Sequence, residues 1–128
     1  MLKAKGLHSL LEQIFSSTPG TSCIALINID GAILSHQHLA NADVRVLSAV
    51  VSSAWAQFEK HGRTAFCGED QLNCLLFECD RGRVGVARIV GNILVCLQTD
   101  ASIEYGALKS KLLGVVSCLK EPLSHLSF

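Results

Sequence analysis

Charge is what this sequence has least of. Lys, Arg, Asp and Glu make up 17% of 128 residues, and their formal sum at pH 7 is zero. Neither a basic stripe nor an acidic run is present. That argues against nucleic acid as a direct partner, because affinity for a phosphate backbone rests on clustered Lys and Arg. Long apolar runs are missing too, and no stretch approaches the roughly 20 residues that span a bilayer. The start, MLKAKGLHSLLEQIF, does not read as a signal peptide, since Glu12 and Gln13 interrupt any apolar segment. Leu2 stands where myristoylation requires glycine, and HLSF at the end is no prenylation box. The expectation is a cytosolic chain with reduced thiols, whose association with any membrane would be borrowed from a partner.

Signatures of chemistry are equally scarce. No G-x-x-x-x-G-K-[ST] run exists to cradle a nucleotide phosphate, and Gly82, Gly85 and Gly91 fall among strands, outside any strand-to-helix fingerprint. His36-x-His38 lacks the companion ligands of a zinc site, so two solvated loop histidines are the simpler reading. Cys74 and Cys79 are five apart in one strand and face opposite ways, so they cannot share a metal. Cys67 beside Gly68, with His61 near in sequence, permits a nucleophile and base but offers no third group to orient them. The expectation is no catalytic residue, no metal and no cofactor.

What is present is apolar. Hydrophobic residues make up 49% and mean hydropathy is +0.38, more than a typical soluble monomer needs. Of six cysteines, most lie inside apolar patterns, where a thiol acts as a small hydrophobe. The length suits one domain over residues 1–128.

The spacing predicts a first helix from Leu2 to Phe15, with Leu7, Leu10, Leu11, Ile14 and Phe15 on one stripe. Ser22 to Ile29 and Ala32 to Ser35 read as strands joined by a two-residue turn at Asp30-Gly31. His36 to Ala42 reads as a loop. Three further strands, Leu72 to Cys79, Arg83 to Val90 and Ile93 to Gln98, form an antiparallel meander, and Gly85 marks a bulge or a place where another backbone comes close. A last helix runs from Ser102 to Leu119, with Pro122 ending or kinking it.

The central helix, Asp43 to Gly62, is the informative element. Asp43 is placed as N-cap and Gly62 as a left-handed stop. Val44, Leu47, Val50, Val51, Ala54, Trp55 and Phe58 form a broad apolar face for the domain's own core. The opposite face carries Arg45, Ser48, Ala49, Ser52, Ser53 and Ala56, small and nearly uncharged where Lys and Glu are usual. Small residues permit close backbone approach, so this face reads as the partner's. An unpaired Leu72 to Cys79 edge would invite aggregation unless a partner strand covered it. The expected partner-binding residues are therefore Arg45, Ser48, Ala49, Ser52, Ser53 and Ala56 with Leu72, Cys74 and Leu76.

IALINIDGAILS, DVRVLSAVVSSAWAQFEKHGRTAF, LLFECDRGRVGVARIVGNILVCLQ and ALKSKLLGVVSCLKEPL together resemble the roadblock family of dynein light-chain-like proteins, and within it the Ragulator branch. The likeness covers nearly the whole chain and departs at Phe15 to Thr21 and Cys67-Gly68. It implies an α+β roadblock (profilin-like, longin-like) domain of order α-β-β-α-β-β-β-α, an antiparallel five-stranded sheet with helices on both faces. It also implies a non-enzymatic scaffold in a heterodimer with a second roadblock-type subunit, central helices side by side and third strands paired across the dimer. A lipidated subunit would anchor the pair to the cytoplasmic face of late endosomes and lysosomes. Rag GTPases would dock there, in support of mTOR complex one and MAPK signalling. Nucleotide exchange toward Rag GTPases is ascribed to such a complex, with no catalytic residue assigned to this chain. The alternative within the family is a homodimer that associates with dynein or regulates a small GTPase.

Overall fold

A computed structural model describes residues 4–39, 42–65 and 74–124, with side chains in 61–65 left aside. The element order is α1 (Ala4–Ser16), β1 (Thr21–Asn28), β2 (Ile33–His38), α2 (Val44–Ala65), β3 (Cys74–Cys79), β4 (Gly82–Val90), β5 (Ile93–Thr99) and α3 (Tyr105–Ser124). All strand pairs are antiparallel, and the sheet runs β2-β1-β5-β4-β3. This is the α+β architecture the sequence implies. The most apolar strands, β1 and β5, lie inside the sheet, and the two edges are β2 and β3.

Strand alternation divides the interior into two layers. Ile24, Leu26, Ala87, Val95 and Leu97 face α1 and α3, which contribute Leu7, Leu11 and Ile14, and Leu108, Leu112, Val115, Leu119 and Leu123. Cys23, Ala25, Ile27, Val84, Val86, Leu94 and Cys96 face the opposite way, toward Leu47, Val51 and Trp55 of α2. Two helices thus cover one face and a single helix the other. Burial pushes the Cys23 thiol up to about 12. It raises Cys96 as well, with Cys23 a secondary cause. Both thiols are core hydrophobes. Cys74 and Cys79 pack on opposite layers, as their spacing requires.

Several boundaries differ from the sequence reading, each for a local reason. β2 continues through the expected loop to His38, because Cys23, Ile24 and Ala25 of β1 pair with His38, Gln37 and His36. α2 passes Gly62, which has no positive φ, and ends at Ala65. Glycine permits a left-handed stop without imposing one. α3 starts three residues late because Asp100 folds the chain into a turn, accepting from the Ser102 amide at 3.1 Å and, through its carbonyl, from Ile103 at 3.1 Å. The helix then runs through Pro122 to Ser124, since Leu119 and Leu123 on either side are both buried in the same layer. Proline forfeits one amide bond there, and the burial outweighs it.

The first hairpin also differs. Asn28 and Ala32 close it through an Asn28 amide to Ala32 carbonyl bond of 2.8 Å, which leaves three residues, Ile29-Asp30-Gly31, in the loop. Gly31 donates to the Asn28 carbonyl at 2.8 Å and adopts φ 99°. That is a tight turn followed by a left-handed glycine, the pattern of three-residue hairpins. It leaves the Ile29 and Gly31 carbonyls free to meet α2. The Ser48 hydroxyl donates to Gly31 at 2.6 Å, and the Ser52 hydroxyl donates to Ile29 at 2.9 Å.

Gly85, the glycine the sequence singles out, sits under α3. A Cβ at this position would stand 3.1 Å from Leu76 Cδ2 and 3.3 Å from both Leu108 Cγ and Leu112 Cδ2. Leucine side chains, and neither a bulge nor a second backbone, crowd this position.

Two substitutions check this account. Gly85→Val drives a branched side chain into the Leu108–Leu112 contact and is expected to destabilise the fold by about 1–3 kcal/mol, read from the denaturation midpoint. Ser48→Ala leaves the Gly31 carbonyl without its donor and is expected to lower stability by about 1 kcal/mol. An unchanged midpoint for Ser48→Ala would show that the hairpin does not hold α2.

Candidate partner interface

The surface in question is built by α2 and the edge strand β3. Asp43 caps α2 as expected: its carboxylate accepts from the Arg45 amide at 3.1 Å and the Val46 amide at 3.3 Å. From that cap, three parallel ridges of residues four apart run along the helix. The ridge Leu47–Val51–Trp55 lies on the sheet, at 5%, 0% and 0% exposure. On one flank, Ser48 and Ser52 turn toward the first hairpin. On the other flank lie Val46, Val50, Ala54 and Phe58, and Val46, Val50 and Phe58 are open to solvent at 58%, 42% and 56%.

This arrangement redraws the expected face. Ser48 is buried, and its hydroxyl is engaged within the chain, so it is not available to a partner. Ser52 is half-buried and bonded to Ile29. Arg45, Ala49, Ser53 and Ala56 are exposed. They line the outer side of the helix, away from β3. Val50 and Phe58, assigned by periodicity to the core, are outside it. Leu47 and Trp55 are core residues, as expected. Val46 was not singled out by the sequence at all. The signal was the width of the apolar arc. A helix resting on a sheet buries one ridge and part of its neighbours, and α2 carries more apolar residues than that contact can use.

A second set of contacts fixes the far half of α2. Glu59 accepts from Trp55 Nε1 at 3.1 Å and from Arg88 Nη2 at 2.5 Å. The Arg88 guanidinium also sits 5.8 Å from the Trp55 ring centroid. Arg88 is in β4, on the α2 side of the sheet with Val84 and Val86. Helix and sheet are therefore tied by hydroxyls at one end and by a charged pair at the other.

β3 pairs with β4 from Cys74↔Ala87 to Cys79↔Gly82, and its other edge faces no strand of this chain among the described residues. Leu75, Phe77 and Cys79 point to the α2 side, while Cys74 and Leu76 point to the α1/α3 side. All five are half-buried, where β5 is buried throughout and β1 nearly so. Leu72 lies outside the described residues. The β3 end of the sheet and the exposed ridge of α2 are adjacent: a cavity of about 190 Å³ sits between them, with Val46, Leu47, Val50, Cys79, Val84 and Gln98 in its lining.

No comparable arrangement of reactive groups occurs among the described residues. Cys67 lies outside them, and so does the His61 side chain. His36 and His38 stack with ring centroids 5.1 Å apart on β2. Burial lowers the His36 pKa first, with His38 and His8 adding to it. Among the described residues, no group of three His, Cys, Asp or Glu side chains is placed to hold a metal ion.

Known proteins match this chain along most of its length. The Roadblock/LC7 domain family model covers residues 8–99. The Ragulator complex protein LAMTOR2 homolog of Caenorhabditis elegans is 26% identical over 129 residues, with 99% of this chain and 97% of that one covered. Among solved structures, MglB of Myxococcus xanthus superposes with a TM-score of 0.78 at 12% identity, over 100% of this chain and 95% of that chain. The Roadblock/LC7 domain from Streptomyces avermitilis superposes with a TM-score of 0.76 at 16% identity, over 91% of this chain and 97% of that chain. The likeness to both structures is one of fold. The chain belongs to the Roadblock/LC7 family.

Proposed function

We propose that this protein is a non-enzymatic adaptor subunit of a Ragulator-like complex, working as one half of a pair of roadblock-type subunits. The near full-length similarity to a Ragulator subunit supports the choice of complex. The observation that carries the pairing is structural: an unpartnered apolar ridge, Val46–Val50–Phe58, stands beside a strand edge, Cys74–Cys79, left unpaired among the described residues. A second domain of the same kind would cover both. Its β3 would continue the sheet by edge-to-edge hydrogen bonding, and its α2 would lie against the exposed ridge.

The partner-binding surface then comprises Val46, Val50 and Phe58 with β3 residues Cys74, Leu76 and Phe77. Arg45, Ala49, Ser53 and Ala56 are left for a further component. No helix among the described residues is long and apolar enough to cross a membrane. In this reading a lipidated subunit holds the pair at late endosomes and lysosomes. Rag GTPases dock on the assembled pair, in support of mTOR complex one and MAPK signalling. The chain itself supplies shape and apolar area, and no acid, base or nucleophile.

Val50→Glu places a charge in the middle of the ridge without touching Leu47, Val51 or Trp55. It is expected to leave the fold intact and to reduce recovery of a second roadblock subunit from the source cells by tenfold or more, as about 1.4 kcal/mol of lost interface suffices for that change. Affinity capture with quantitative mass spectrometry checks this. Wild-type recovery by Val50→Glu would place the partner elsewhere. Capture of dynein intermediate chain, with no Rag GTPase or scaffold subunit, would favour the dynein-associated reading.

A further inference from the structure

His36-x-His38 is a motif that the adaptor role leaves unused. As loop residues the two histidines would share no direction. In the structure they belong to β2, opposite Ala25 and Cys23 of β1. Residues two apart in a strand share a face. Cys23 and Ala25 face α2, so His36 and His38 stand on that side of the sheet, on the edge strand far from β3.

The two rings converge. Two positions along a strand advance about 6.6 Å. The ring centroids are only 5.1 Å apart and the planes lie 20° from parallel, so the rings lean together. His38 Nδ1 is 2.8 Å from the Leu39 carbonyl oxygen. A carbonyl only accepts, so Nδ1 carries the proton and Nε2 keeps its lone pair. Metal-binding histidines are held in this way, one ring nitrogen donating to a carbonyl while the other ligates. On His36 the enclosed nitrogen is Nδ1, buried and without a hydrogen-bond partner among the described residues. Nε2 is therefore the nitrogen through which this ring can meet a cation from solvent. Two nitrogens about 2.1 Å from one tetrahedral zinc ion stand roughly 3.4 Å apart. Rotation about the Cβ–Cγ bonds, a soft torsion in histidine, supplies that closure. His38 is exposed and free to make it, while His36 is half-buried.

We propose that His36 and His38 form a two-histidine chelate for a borderline divalent transition cation such as Zn2+, bound through Nε2 of both rings. No third His, Cys, Asp or Glu among the described residues completes the shell. Water fills the remaining positions, so the site is open and its affinity modest. Mg2+, which prefers oxygen ligands, is not held. The site is independent of the α2–β3 surface and stands or falls apart from the adaptor reading.

Calorimetric titration of Zn2+ into the purified chain, with accessible thiols alkylated beforehand, tests this. Wild type should take up a single equivalent, and Mg2+ should give no binding heat. His36→Gln and His38→Gln should each weaken Zn2+ binding roughly tenfold or more. His8→Gln should leave it unchanged, because His8 is on α1 and meets Gln37, whose neighbour Ile24 faces the opposite layer. Circular dichroism checks that each variant is folded. Should one fail, nitrogen-15 NMR of the wild-type imidazoles replaces it: Zn2+ should shift Nε2 of His36 and His38 and spare His8. Wild-type affinity in both folded variants overturns the proposal, and so does the absence of saturable binding by the wild-type chain. Several weak equivalents that ignore both substitutions would mean an adventitious ion only, and would overturn it equally.

Discussion

One helix has to cover one face of a five-stranded sheet, and it is too narrow to do so. Strands lie about 4.8 Å apart, so five of them span roughly 19 Å. A helix with its side chains is about 10–12 Å across. On the other face the difficulty does not arise, because α1 and α3 share it and their buried residues meet strands β1, β5 and β4 alike. On the α2 face, α2 alone leaves roughly half the width uncovered among the described residues, and the proposed interface depends on which half.

Two pairs of polar contacts decide that. Ser48 and Ser52 bond to carbonyls of the first hairpin, drawing α2 toward the β1–β2 side. Glu59 and Arg88 hold the far end in place on β4. The uncovered half is therefore the β3 side. There the half-buried Leu75, Phe77 and Cys79 continue into the exposed ridge of Val46, Val50 and Phe58. The three-residue hairpin is part of the same arrangement. A left-handed Gly31 presents its carbonyl to Ser48, and a Cβ there would stand 3.5 Å from the Ser52 side chain.

Much of this was legible in the sequence. Element order, antiparallel pairing, the Asp43 cap and the core roles of Leu47 and Trp55 all follow from period and turn chemistry. Crowding at Gly85 was legible too, although side chains and not a second backbone supply it. The burial of Ser48 and the exposure of Val50 and Phe58 were not legible, and the reason is physical. Periodicity reports which residues of a helix are apolar, and it is blind to how wide a surface the helix meets. The apolar positions of α2 suggested one broad buried face, but the sheet accepts one ridge of them. Serine on a helix likewise reads as small and tolerant until a carbonyl is found within reach of its hydroxyl. Neither fact is local: the hairpin carbonyl that receives Ser48 lies 17 residues away. Boundary differences at His36–His38 and Pro122 share that origin, since pairing or burial at a distance outweighed a local stop signal.

The magnitudes favour the proposed interface only when both elements pair together. Fully burying a valine or phenylalanine side chain is worth about 1.5–3 kcal/mol. Val46, Val50 and Phe58, partly buried already, contribute less than that sum. Association itself costs about 4–15 kcal/mol in lost freedom of motion. The α2 ridge alone therefore gives at best a weak contact, and the β3 edge alone offers backbone bonds whose net worth is about 1 kcal/mol each. Joined in one surface, they share a single entropic cost. A partner that carries only a helix, or only a strand, is thereby held poorly. A partner with the same helix beside the same edge satisfies both at once. In the proposed pairing, selectivity for another roadblock-type domain would follow from the geometry of an under-covered sheet, with no charge pattern needed, in a chain that has few charges.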